Sequence, residues 1–244
     1  TKHTKNQILA YELDISLFNQ LKTLFGHSNK VTVLNKNFLQ ADDSNVNFCV
    51  VANIPFMITT ALIKRITDDL HFQEGYLVLQ KEAAYRFGGA ELEKPSGILS
   101  TLLNVDFSFE ILHTFTAKDF VPAPQVTSVL LHIKRKQEAA KFQGRTEFAD
   151  FVAYLFNKSL PEIRRAPLLG RYLARKIDLG RIPLMQKKPS ELSLEDILYL
   201  FSLCDYEMLE KISGYDEKIK EEGASVQKIY RTRNAEDWKD RDNY

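Results

Sequence analysis

Asn53, Ile54, Pro55 and Phe56 follow one another at the end of an apolar run, "VVANIPFMITT" over residues 50–60. That order of residue types suits one kind of ligand. An amide oxygen and a neighbouring backbone carbonyl can together accept both hydrogens of an exocyclic amine, while an aromatic ring stacks on the base that carries the amine. Pro55 locks its own φ and so fixes the turn that aims both groups. In an open α/β sheet, a turn at the carboxyl end of a strand faces the crevice where ligands bind. The combination describes a pocket for an unstacked adenine. A tetrapeptide recurs by chance, so the surrounding elements must carry part of the reading.

Those elements follow from hydropathy periodicity. Gln7 to Tyr11 reads as a strand whose end presents the acids Glu12 and Asp14, and a carboxylate there is a good acceptor for a diol. Ile15, Leu17, Phe18, Leu21 and Phe25 have helical spacing. "KVTVLN" and "NFCVVA" are further strands, and "TTALIKRITDDL" is a helix with Thr59 or Thr60 as its N-cap. "GYLVLQ" is a fourth strand that runs into the helix "KEAAYRFG", stopped by Gly88 and Gly89. Strands alternating with helices predict an open, largely parallel sheet covered on both faces. After Pro95 the order becomes helix ("SGILSTLLNVDF") and then two strands, "FEILHTF" and "SVLLHIKR", separated by "TAKDFVPAPQVT" and closing the sheet antiparallel. "EFADFVAYLFNKSL", "EIRRAPLLGRYLARKI" and "LSLEDILYLFSLC" all favour helix. The expected organisation is an α/β domain over 1–137, a helical domain over 138–212, and a polar, acidic tail over 213–244.

A chain of 244 residues, 44% apolar, can bury a sizeable core. No apolar stretch approaches the roughly 20 residues of a membrane span, and no signal-peptide pattern opens the sequence. Cys49 and Cys204 lack metal-ligand spacing and read as buried thiols in a reducing compartment. The expectation is a cytoplasmic monomer with no membrane and no metal. Net charge is +1, yet residues 134–189 hold 14 Lys/Arg against 5 Asp/Glu, a local net of +9. A block of that sign suits an anionic partner and equally suits a solvated helical surface. Lys134, Arg135, Arg164, Arg165, Arg171 and Arg175 are its candidate RNA contacts, with Lys136, Lys176 and Arg181 beside them.

Five motifs occur in order at suitable intervals: "AYELD", "LNKNFLQ", "NIPFMITT", "LVLQKEAAYR" and "DFVPAPQVTSVLLHI". Through them the sequence resembles the rRNA adenine N6-dimethyltransferases, the erythromycin-resistance methylases and their ribosome-biogenesis relatives, over residues 4 to 135. The resemblance implies a Rossmann-like methyltransferase sheet with a small C-terminal helical domain, S-adenosyl-L-methionine as cofactor and rRNA as partner. It implies that Glu12 binds the cofactor ribose, that Leu13 packs on its adenine, and that Phe38 lies against the same ring. Asn37 falls where the family usually has an Asp that accepts from the adenine amine. Asn53, Ile54, Pro55 and Phe56 would form the catalytic turn, Asn53 also bordering the cofactor, with Phe120 completing a sandwich around the target base. Gln80, Glu82 and Arg86 match as structural polar contacts.

The implied reaction is methyl transfer to N6 of an adenosine in large-subunit (23S) rRNA, giving macrolide-lincosamide-streptogramin resistance. The alternatives are a small-subunit dimethylase of ribosome biogenesis and a non-catalytic RNA-binding relative. DNA or protein N-methyltransferases share the Asn-Pro-aromatic logic, but "NIPF" paired with "FVPAPQVTS" points to rRNA. One departure is larger than Asn37. The family's glycine-rich turn after its first strand has no counterpart, since no Gly precedes Gly26 and no strand precedes Gln7. The expectation is an N-terminally incomplete catalytic domain with an unpaired gap in its sheet, an incomplete cofactor site and poor catalysis.

Overall fold

The structure, a computed structural model, describes residues 6–41, 45–122, 124–138, 144–156, 184 and 187–203. The chain divides into two compact units, Thr1–Asn47 with Ala61–His71, and Phe48–Thr60 with Phe72–Tyr244.

In the first unit β1 (Ile8–Tyr11) pairs in parallel with β2 (Val31–Leu34), Ile8 opposite Val31 and Tyr11 opposite Leu34. Parallel neighbours need a crossover, and α1 (Ile15–Phe25) supplies it. Asp14 starts that helix: its Oδ1 accepts from the N–H groups of Ser16 at 2.8 Å and Leu17 at 2.9 Å. Two of the donors left unpaired at a helix start are thereby satisfied. Helical spacing in the sequence is matched by a helix, but none of its residues is fully buried.

The second unit holds a four-stranded sheet of order β3 (Phe48–Asn53), β4 (Phe72–Gln80), β6 (Ser128–Arg135), β5 (Phe107–Thr114). β3 and β4 are parallel, and β6 runs antiparallel to both its neighbours. Among the described residues four helices belong to it: α3 (Lys81–Gly88), α4 (Ile98–Asp106), α5 (Arg145–Leu155) and α6 (Leu194–Ser202). Another helix, α2 (Thr59–Thr67), begins in this unit and continues in the first. Gly89 ends α3 at φ +51°, where a Cβ would sit 2.5 Å from Ser100 Oγ, so the stop needs glycine for conformation and for space. Along β4, β6 and β5 the buried residues alternate: Leu77 and Leu79, Val129, Leu131 and Ile133, Phe107 and Phe109. Farther along the chain, Phe148 and Phe151 of α5 meet Phe201 of α6 at ring separations of 5.2 and 5.6 Å. Each such ring stabilises the fold by about 1.5–3 kcal/mol through burial.

The unpaired gap expected in the sheet is observed: among the described residues the strands form two sheets, β1–β2 and β3–β4–β6–β5, and β1 and β3 each pair on one side only. Three expectations need correction. Coverage of both faces fails at β3, where alternation turns Cys49, Val51 and Asn53 to an exposed face and leaves Val51 82% exposed. Cys49 is accordingly exposed and not buried; its Sγ lies 3.8 Å from Glu74 Oε1, and partial desolvation together with that carboxylate pushes its thiol pKa up. Neither Thr59 nor Thr60 is an N-cap, since Pro55 starts a 3-10 turn over Phe56–Ile58 that leads straight into α2. Cys204, the helix expected over 162–177 and the tail 213–244 lie outside the described residues.

The Phe148–Phe151–Phe201 cluster places α6 in the core of the second unit. Phe201→Ala should cost about 3–5 kcal/mol of unfolding free energy, as large-to-small core changes do. Urea unfolding followed by circular dichroism measures it, and a loss below about 1 kcal/mol would remove α6 from that core.

Candidate functional site: acceptors and rings at the strand ends

Parallel pairing brings the carboxyl ends of β1 and β2 to one end of their sheet, so the residues after Tyr11 and after Leu34 emerge side by side. Asn35 ties the two exits together. Its Nδ2 donates to the carbonyls of Glu12 at 2.9 Å and Leu13 at 3.1 Å, and the Glu12 N–H donates to Leu34 O at 3.0 Å. The Glu12 carboxylate is itself held, because Oε1 accepts from the Asp14 N–H at 2.9 Å. Leu13 is exposed on the same turn. Asn37 does local work: its Oδ1 accepts from the Leu39 N–H at 3.0 Å and caps the short 3-10 turn Phe38–Gln40. One lone pair of that oxygen stays available for a ligand donor. Phe38 is half-buried, its ring edge-on to Tyr11 at 5.2 Å.

Glu12, Leu13, Asn37 and Phe38 have the chemistry to fit the nucleoside end of S-adenosylmethionine. A fixed carboxylate suits a diol, an exposed leucine and a ring suit the two faces of a base, and an amide oxygen suits an amine. Gly26, the single glycine of this unit, ends α1 instead of cradling a ligand.

The remaining candidates stand on the second unit. Asn53, opposite Val78, is exposed at the end of β3. Ile54 anchors the turn that follows, its side chain 2% exposed and its N–H donating to Val78 O at 2.9 Å. Pro55 then holds φ −57° and ψ 130°, and the Ile58 N–H closes back on its carbonyl at 3.0 Å. Phe56 comes out of this turn 37% exposed. Register puts a second aromatic loop at the same end of the sheet, since Gln80 faces Ser128 and Thr114 faces Val129. In that loop Asp119 Oδ2 accepts from the Thr116 N–H at 2.6 Å and from Thr116 Oγ1 at 2.9 Å, and these bonds, the backbone one above all, hold its carboxyl below the usual range. Phe120 follows, edge-on to Phe115 at 5.4 Å. Gln80 closes β4, while Glu82 and Arg86 stand in the first and last turns of α3, where their charges complement the helix dipole.

The basic run divides by role. Arg135 Nε donates to Phe72 O at 2.8 Å, and its guanidinium lies 4.6 Å from the centre of the Phe107 ring. Lys136 Nζ reaches Glu91 Oε1 at 2.6 Å and Asn104 O at 2.8 Å. Both brace the fold, and Lys134 between β4 and β5 is the exposed cation of the three. Arg164, Arg165, Arg171, Arg175, Lys176 and Arg181 lie outside the described residues. Among the described residues no cluster of three His, Cys, Asp or Glu could hold a metal, and no helix is long and apolar enough to cross a membrane.

Parallel strand pairs with acceptors and rings at their carboxyl ends make a Rossmann-like fold. The 23S rRNA methyltransferase ErmE shares that fold, superposing with a TM-score of 0.70 at 22% identity and covering 84% of this chain and 82% of that one. The profile of one family, ribosomal RNA adenine dimethylase, matches residues 2–177, and the chain belongs to that S-adenosylmethionine-dependent enzyme family. Ribosomal RNA small subunit methyltransferase A of Thermotoga neapolitana is 27% identical over 82% of this chain and 73% of its own length. The protein of the same name from Parabacteroides distasonis is 30% identical over 86% and 79%.

Asn35 is the residue that sequence reasoning missed. An asparagine just past a strand signals a turn, but its partners are 22 and 23 residues away in sequence. Asn37 generates a prediction. Asn37→Asp should hold or tighten S-adenosylhomocysteine binding in calorimetry, because a carboxylate caps the same turn and accepts more strongly. Asn37→Ala should weaken it, by about 0.5–2 kcal/mol if only the cap is lost. A weaker Asp variant would move the adenine contact away from this position.

Proposed function

We propose that this protein methylates N6 of an adenosine in rRNA, and that the RNA belongs to the small ribosomal subunit. The supporting observation is the exposed Asn53 amide at the end of β3, on a turn pinned by Ile54 to Val78 O and followed at once by Phe56. Bound S-adenosylmethionine supplies a methyl group made electrophilic by its sulfonium. The adenine amine is a poor nucleophile, because its lone pair is delocalised into the ring. Asn53 Oδ1 and a backbone carbonyl of the turn accept its two hydrogens, favouring a pyramidal nitrogen with the lone pair aimed at the methyl group. No strong base is needed, since the proton leaves once the nitrogen is cationic. Phe56 and Phe120 stack on the base and offset the few kcal/mol, in order of magnitude, of taking it out of its stack. Glu12, Leu13, Asn37 and Phe38 hold the nucleoside end of the cofactor.

RNA phosphates are met by the basic residues of region 138–212, through Arg164, Arg165, Arg171 and Arg175, and by Lys134 on β6. Such contacts fix orientation without reading sequence. Arg135, bonded to Phe72 O, contributes as a brace of that surface. The protein acts as a monomer in the cytoplasm, where rRNA is found. The choice of small-subunit RNA rests on the two relatives named above; the large-subunit, resistance-conferring reading has a likeness of fold behind it.

Transfer of labelled methyl to purified small-subunit and large-subunit rRNA, free and in assembled particles, is the test. Label should enter small-subunit RNA. Asn53→Ala should lower the rate by about 10²–10³, as loss of one preorganised polar group does. Phe56→Ala should cost about 1–3 kcal/mol of stacking, with Phe56→Tyr close to wild type. Label confined to large-subunit RNA would establish the resistance reading, and RNA binding without transfer would make the protein a non-catalytic relative.

A further inference from the structure

Arg65 lies in the last turn of α2, in the first unit, and its guanidinium spans two acceptors. Nη2 donates to Ala41 O at 2.6 Å, and Nη1 pairs with Asp69 Oδ2 at 3.0 Å, four residues on and just past the helix. The side chains of this pair are 23% and 10% exposed, so solvent screens them weakly. Asp69 is fixed in turn, its Oδ1 accepting from the His71 N–H at 2.9 Å. Ala41 is the residue that closes the 3-10 turn after Asn37: its N–H donates to Phe38 O at 3.1 Å. The same guanidinium stands 6.0 Å from the centre of the Phe38 ring, which has Tyr11 as its other neighbour.

We propose that Arg65 is a positioning residue for the adenine end of the cofactor site, holding the Asn37–Ala41 turn and the Phe38 ring in their binding arrangement. The inference rests on the reading of Asn37 and Phe38 as adenine contacts. Asn37 Oδ1 secures the turn at its start through the Leu39 N–H, and Arg65 secures it at its end through the Ala41 carbonyl. With both ends held, the ring and the amide oxygen keep a fixed spacing. A planar guanidinium reaches a carbonyl and a carboxylate at once while lying against a ring; an ammonium is a point charge that cannot hold this geometry.

Arg65→Met and Arg65→Lys in the full chain test this by two readouts. Amide hydrogen exchange of the ligand-free protein should rise about tenfold or more at Leu39 and Ala41 in the Met variant, the size expected for losing a charge-assisted hydrogen bond. The amide of Ile8, bonded to Lys30 O at the start of β1, should keep its wild-type rate. Calorimetric affinity for S-adenosylhomocysteine should fall about tenfold in the Met variant, with Lys intermediate. Unchanged exchange at the turn would overturn the positioning role itself. Faster exchange with unchanged affinity would overturn the adenine-site reading while leaving the clamp in place.

Discussion

Parallel strand pairing is the constraint on which the candidate site depends. Two parallel neighbours leave their sheet at the same end, so whatever follows each strand meets whatever follows the other. In β1–β2 this joins Glu12 and Leu13 to Asn35, Asn37 and Phe38. In β3–β4 it sets the Asn53–Phe56 turn beside the end of β4, and the antiparallel β6 and β5 return the Phe120 loop to that end. An antiparallel arrangement of β1 and β2 would send the two groups of acceptors to opposite ends, some four residues of strand apart.

Strand exits fix neighbourhoods; hydrogen bonds fix the groups within them. The Glu12 carboxylate, the Glu12 and Leu13 carbonyls and the Asn37 amide each have a named partner: the Asp14 N–H, Asn35 Nδ2 and the Leu39 N–H. On β3 the corresponding device is apolar and backbone-based, with Ile54 buried and its N–H on Val78 O. Asn53 is thus presented by a turn whose next residue cannot move without breaking the ladder and exposing a buried side chain. Groups held this way pay little reorganisation when a ligand arrives, which is the physical basis of orienting a weak nucleophile.

Charge behaves differently from pattern. Three adjacent cations at the end of β6 look equivalent in sequence, yet alternation along the strand and the position of Phe72 O, Phe107 and Glu91 divide them into two braces and one exposed lysine. A charge count therefore bounds the electrostatic character of a surface without saying which cations belong to it.

The sequence by itself determined the strand and helix order, the helix stop at Gly88–Gly89 and the family, because period, turn chemistry and short motifs are local properties. Asn53 through Phe56 were legible for the same reason: the turn is made of consecutive residues. Tertiary structure alone decided the exposure of Cys49 and Val51 and the roles of Asn35, Arg65 and Arg135. Val51 sits in an apolar run that reads as buried on both faces, and only the observed pairing shows one face exposed. Asn35, Arg65 and Arg135 act on partners 22 to 63 residues away in sequence, and no local pattern records which distant carbonyl a side chain will meet.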